Sequence, residues 1–166
     1  MKYLVLIILF IFEFTTLAKA NNVVYIDMNY ILSNSTHGKS ILEELDKKNQ
    51  KNISKLESKE IILKELEKNI TNKKNILSKK ELEKKITELK SKILVFRKDK
   101  DKLSKEFNKI KDKEIIGFMK NVEPLISSYI KKNSINIVLD KKNVIIGKKN
   151  HDITFAILEI VNKNIK

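Results

Sequence analysis

The chain has 166 residues, a formal charge of +14 and no cysteine. That length permits one ordinary domain, and the missing cysteine excludes disulfide staples, thiolate chemistry and zinc–thiolate sites. Arg97 is the only arginine in a chain rich in Ile, Asn and Lys. A base-reading protein needs arginine forks, so dedicated nucleic-acid binding is set aside. A basic surface in general still favours anionic partners.

Met1-Lys2-Tyr3, an unbroken apolar run over 4–12, and Ala18-Lys19-Ala20 have the layout of a secretory signal peptide with an A-x-A cleavage site. The apolar run is too short to span a bilayer. Glu13 closes that run awkwardly, which leaves an uncleaved anchor as the alternative. The mature chain is taken to start at Asn21. A small exported domain without disulfides needs another source of stability, and oligomerisation is the usual one.

Val23-Val24-Tyr25-Ile26 reads as a strand. Asp27 or Asn29 then caps a short helical turn through Tyr30, Ile31 and Leu32, and 33–38 is loop by composition. Between Gly38 and Gly117 there is neither glycine nor proline. Leu42, Leu45, Leu56, Leu63, Leu66, Ile70 and Leu77 lie on one three-and-four spacing. Leu82, Ile86, Leu89, Ile93, Phe96, Leu103, Phe107 and Ile110 lie on another. Each seam is too narrow for the face of a globular core helix and asks for a partner helix.

The two seams fall out of phase around the polar stretch 71–75, and Ser78-Lys79-Lys80-Glu81 has the form of a capping box. This predicts a helical hairpin, with an outgoing arm over 40–74 and a returning arm from 79 onward. At 1.5 Å per residue the outgoing arm is roughly 50 Å long. Asn49, Asn52, Lys59 and Lys73 interrupt its seam, as polar residues that lower stability but can fix register and partner. Lys73, Lys74, Lys79 and Lys80 gather at the tip, as a basic surface that is either simply solvated or a binding site.

Gly117 and Pro124 fall inside the continuing pattern of Phe118, Val122, Leu125, Tyr129 and Ile130, so a bend is expected where the helix enters the base. Asn133-Ser134 ends the helix. A strand over 135–139, a turn over 140–143 and a strand over 144–146 read as a β-hairpin. Asp152 caps a last helix with Ile153, Ala156, Ile157, Ile160 and Val161 on its apolar side.

Both ends of the chain thus supply strands, and the helical hairpin is inserted between them. The expected fold is α+β, mostly α: a signal peptide over 1–20, a β-containing base from 21–38 and 118–166, and a coiled-coil arm over 39–117. Three short strands make no stable independent core, and their edges are a liability unless paired with other subunits. Val24, Ile26, Ile137 and Leu139 are the strand residues expected in an oligomer core.

Catalysis is not expected. His37 and His151 are the only histidines, and no Gly-rich phosphate loop, H-E-x-x-H or G-x-S-x-G occurs. The arm carboxylates alternate with lysines at helical spacing and read as solvated pairs. No cofactor and no metal are expected.

Val23 to Met28, Ile31-Leu32, Gly38-Lys39 with Leu42 and Leu45, Pro124 within a helix, Ile137-Val138-Leu139-Asp140, Val144-Ile145-Ile146 and Asp152-Ile153-Thr154 together resemble the Skp (OmpH-like) family of periplasmic chaperones. The resemblance runs in order and spacing along the whole mature chain. It implies a homotrimer with a central barrel whose arms enclose a cavity. It also implies an ATP-independent holdase that carries unfolded outer-membrane proteins across the periplasm. Association with anionic lipid or lipopolysaccharide is a further implication that maps onto no particular lysine. The competing reading is a structural or adaptor coiled coil of the envelope with one fixed partner.

Overall fold

The computed structural model describes residues 22–165; the signal-peptide reading of 1–20 lies outside them. Strand β1 (Val23–Ile26) leads into α1 (Met28–Asn34), whose N-cap Asp27 accepts from the backbone N–H of Tyr30 at 2.8 Å. Helix α2 (Thr36–Lys73) and helix α3 (Lys79–Lys132) form the long hairpin, followed by β2 (Ile137–Asp140) and α4 (Thr154–Asn164). The fold class expected from sequence is the fold observed.

The loop expected at 33–38 is not one. Helix α1 runs to Asn34 and α2 starts at Thr36, so a single extended residue, Ser35, joins them. Its buried hydroxyl accepts from the Gly38 N–H and caps α2. The two helices meet so closely here that a Cβ on Gly38 would lie 2.0 Å from the Leu32 carbonyl oxygen. Glycine is needed for that approach, not for a turn.

The hairpin tip follows the predicted chemistry. The Ser78 hydroxyl accepts from the Glu81 N–H, and the Glu81 carboxylate accepts from the Ser78 N–H at 3.1 Å. The Ser78 hydroxyl also lies 2.7 Å from the Glu81 carboxylate and donates to it; this bond first, and that from the Ser78 N–H second, hold the Glu81 carboxyl below its ordinary value. At 1.5 Å per residue the 38-residue α2 is about 57 Å long and the 54-residue α3 about 81 Å. Helix α3 continues through Pro124 without interruption.

Lys59 of α2 reaches across to Asp99 of α3, a hydrogen-bonded ion pair set within the seam. A lysine stem can lie along apolar neighbours while its ammonium meets the carboxylate. The Lys59 hydrogen bond, with the nearby charges of Lys55 and Lys102, holds the Asp99 carboxyl below its ordinary value despite some desolvation. The seam position that looks like a defect on one helix is therefore paired on the other.

The core sits at the root of the hairpin and draws on β1 and all four helices, with Val138 of β2 half-buried against it. Val24 and Ile26 of β1, Ile31 and Leu32 of α1, Ile41 and Leu45 of α2, and Phe118 and Val122 of α3 are buried there. Ile135, Ile153, and Ile157 and Val161 of α4 complete it. Phe118 is the largest fully buried side chain, and the His37 ring lies nearly parallel to it at 6.2 Å.

The sheet differs from expectation. Strand β2 does not turn back into a hairpin; it pairs parallel to β1, with Val23 opposite Ile137 and Ile26 opposite Asp140. On the other side of β1, the Ile153 N–H donates to the Tyr25 carbonyl at 3.0 Å. The expected turn is a single tight helical turn, Lys141–Asn143, capped by the Asp140 carboxylate. The expected strand at 144–146 is absent. Residues 144–148 form an irregular strap that leaves the free edge of β2 unused and crosses to β1, where Gly147 packs on the Tyr25 ring and the Tyr25 hydroxyl bonds the Lys148 carbonyl. The N-cap of the last helix is Ile153, which has no side-chain capping bond, and not Asp152 as expected; Asp152 lies one residue earlier, its carboxylate accepting from the Thr154 N–H at 3.0 Å.

Two outcomes follow. Truncating Phe118 to Ala should lower unfolding free energy by about 3–5 kcal/mol in a urea titration; a loss under about 1 kcal/mol would mean the root is not a packed unit. Asp99→Asn should lower the Tm at pH 7. Because the folded-state pKa is depressed, the pair contributes above the unfolded value of about 3.9 and is lost as pH falls through the folded one. The Tm difference should therefore narrow as the solution is acidified below the ordinary carboxylate range, and a difference that does not change with pH would make the effect one of packing instead of charge.

Candidate functional site

Two surfaces carry exposed apolar side chains, one on the base and one on the arm. On the base, strand alternation sorts the residues. Val24 and Ile26 point into the core, whereas Ile137 and Leu139 stand opposite Val23 and Tyr25 on the outer face. The four strand residues singled out from sequence thus lie on opposite faces of the sheet. Val24 and Ile26 are buried within this one chain, while Ile137 and Leu139 remain 48% and 42% exposed. A pattern of alternating apolar residues cannot reveal this split, since parity between β1 and β2 depends on register.

The strap at 144–148 leans over that outer face. Gly147 lies against the Tyr25 ring, where a Cβ would come within 2.5 Å of it, and the Tyr25 hydroxyl donates to the Lys148 carbonyl at 3.1 Å. His151 Nδ1 lies 2.6 Å from the Val23 carbonyl oxygen. Between strap and sheet is a cleft of about 450 Å³ whose lining includes Val23, Tyr25, Leu139, Val144 and Ile146. Ile145 and Ile146 are 98% and 91% exposed.

A small polar lock holds this corner. Lys141 pairs with Asp152 at 2.9 Å, and the Asp27 N–H donates to the Thr154 hydroxyl at 2.9 Å. Burial acts to raise the Asp152 carboxyl, but hydrogen bonds from Thr154 and Lys141 outweigh it and leave the carboxyl lowered. The same contact raises Lys141. These groups satisfy one another and present no free acid or base.

On the arm, Ile62, Leu63, Val95 and Phe96 line a notch of about 250 Å³ together with Lys59, Ser91, Lys92 and Asp99. Leu63 and Phe96 are seam residues; Ile62 and Val95 sit one position earlier on each helix and are both 55% exposed. Sequence reasoning passed over them because it followed the seam. The signal was there as doubled apolar residues, Ile61-Ile62 and Leu94-Val95, where a narrow seam needs only one.

At the tip, Lys73 closes α2, Lys74 follows it, and Lys79 and Lys80 open α3, all of them exposed. Lys79 and Lys80 lie at the positive end of a helix dipole, where cations are disfavoured. No ligand-like cavity joins all four, although Lys73 lines a shallow cleft with Leu66, Ile70, Lys85 and Leu89. Of the two histidines, His37 packs on Phe118 and His151 makes a polar contact with the Val23 carbonyl. Among the described residues there is no group of three or more side chains able to hold a metal ion. No helix among them is long and apolar enough to cross a membrane.

The family model "Outer membrane protein (OmpH-like)" matches residues 22–161. Among solved structures, the chain is similar to a candidate outer membrane chaperone (OmpH-like) from Caulobacter crescentus CB15. The TM-score is 0.74 at 19% identity, over 87% of this chain and 86% of that one. Curated proteins provide no significant match. With a match spanning the base, the arm and the base again, the chain belongs to the OmpH-like outer membrane protein family.

Proposed function

We propose that this protein is an ATP-independent holdase chaperone of the periplasm, exported by the signal segment over 1–20. It binds unfolded outer-membrane proteins between its helical arms and prevents their aggregation. The observation that carries the reading is the hairpin itself: a long two-helix arm stands clear of a small core and exposes aliphatic side chains among lysines. Kinship with the OmpH-like family and likeness to a chain described as an outer membrane chaperone support it.

An unfolded outer-membrane protein exposes alternating apolar strands that aggregate in water. Dispersed apolar contacts on a solvated arm hold such a chain without offering it a core to fold into. Ammonium groups favour clients of net negative charge. No Gly-rich nucleotide loop accompanies the arm, and the cycle we propose needs none.

The cavity requires more than one arm. Among the described residues, the outer edge of β2, the exposed Ile137 and Leu139, and the strap's Ile145 and Ile146 together form an unpaired strand edge beside an apolar patch. Such edges aggregate unless covered, which supports a homotrimer closed through the base. Anionic lipid or lipopolysaccharide remains a secondary partner of the lysine-rich surface in this proposal.

Light scattering on the chain from Asn21 should give a trimer. After addition of a urea-denatured outer-membrane protein, that trimer should gain one client mass and keep it soluble. A monomer or dimer that lets the client precipitate would favour the adaptor reading instead. Ile137→Asp, at a position exposed in the single chain, should dissociate the assembly while leaving helix content unchanged. An intact oligomer in that variant would count against closure through β2.

A further inference from the structure

The proposal concerns one place on the arm, and it rests on the holdase reading above. We infer that the notch between Ile62 and Val95 is a discrete grip for an extended, acidic-apolar segment of unfolded polypeptide. Its ligand is one large aliphatic or aromatic side chain with carboxylates beside it in the chain.

Three observations meet here. Leu63 and Phe96 form the floor, and Ile62 and Val95 form the walls. Ile61 and Leu94, one residue earlier on each helix and also more than half exposed, extend the apolar band around the outer flanks of both helices. Elsewhere on the hairpin, exposed large apolar residues do not gather across both helices in this way: Ile53, Ile76 and Ile86 stand at separate levels, and Ile116 is joined only by Met119, one turn on along the same helix. A cluster spanning two helices at one level is a contact surface, where scattered single residues are not.

The rim supplies the chemistry of the partner. Lys59 and Lys92 line the notch, and Lys55 and Lys102 lie close enough to act on Asp99. Asp99, the one carboxylate in the lining, is already engaged by Lys59. The rim therefore keeps a surplus of ammonium groups around an apolar centre, which is complementary to an apolar side chain flanked by Asp or Glu. An extended strand places alternate side chains about 7 Å apart on one side, so an anchor and its acidic neighbours reach floor and rim together.

A second arm of this protein is a poor occupant. Helix α3 carries 17 lysine and arginine residues against 9 acids, and α2 carries 9 against 7. Bringing two such arms together sets like charge against like charge. A denatured, net-acidic polypeptide meets no such penalty.

The test is the affinity of the full assembly for a urea-unfolded, net-acidic outer-membrane β-barrel polypeptide labelled with a fluorophore. Ile62→Ser with Val95→Ser should weaken binding by about tenfold or more while helix content and oligomer mass stay unchanged. Ile116→Ser, at a comparably exposed site nearer the root, should leave binding unaltered. Lys92→Glu should weaken the acidic client and spare a lysine-rich unfolded one. If the double variant binds as tightly as the wild type, the grip is wrong and the holdase reading stands. If the wild type itself binds no client, both fall. If the serine variant instead abolishes a concentration-dependent association of wild-type trimers, the notch is a self-contact and the inference is overturned.

Discussion

Parallel pairing of β1 with β2 is the constraint on which the rest of the structure depends. Two parallel strands cannot be joined by a tight turn; the chain has to travel away and come back to start the second strand from the same end. Here the journey covers residues 27–136, and the helical hairpin is how it is made. Going out on one helix and returning on another brings Ile137 back beside Val23 with little unstructured chain to close. The arm is at once the connection that the base requires and the part that leaves the base.

This geometry explains why the core has its composition. A two-stranded sheet is not stable alone, so it is backed by α1, by α4 and by the roots of the two long helices. Phe118 and Val122 enter from α3 and Ile41 and Leu45 from α2, fastening the arm where it departs. Farther out the helices hold only each other. There the narrow seam, the Lys59–Asp99 pair and the capped tip replace a core. Stability is therefore concentrated at one end of the molecule, and the other end is free to trade packing for exposed surface.

Much of this was legible in the residues. The hairpin and its turn were readable because heptad spacing and the Ser78–Glu81 box are local signals that need no knowledge of distant contacts. Asp27 as a cap was readable for the same reason. What misled was tertiary. Residues 33–38 look like loop because Ser, Asn, Thr and Gly favour turns; packing of α1 against α2 overrides that preference, with Gly38 placed for close approach. Val144-Ile145-Ile146 has strand propensity, but propensity cannot choose a neighbour, and this segment is held by the contacts of Gly147 and Lys148 with Tyr25 instead of pairing with the free edge of β2. The division of Val24 and Ile26 from Ile137 and Leu139 likewise depends on register. On the arm, Ile62 and Val95 were visible as surplus apolar residues beside the seam, a signal weighed less than the seam itself.

The tip, finally, bears on the order in which the molecule comes into being. Its capping box joins residues three apart, and the seam above it joins residues close in sequence, so the outer arm is built from contacts of short range that form quickly. The base is the reverse: Val24 and Ile26 wait for β2, Ile153, Ile157 and Val161, all of which follow the hairpin in the chain. As the polypeptide emerges from its N-terminus, the arm can be complete while the base is still missing its second half. For that interval the protein is itself an unfolded client, with the exposed β1 segment in the same predicament as the strands it is proposed to protect.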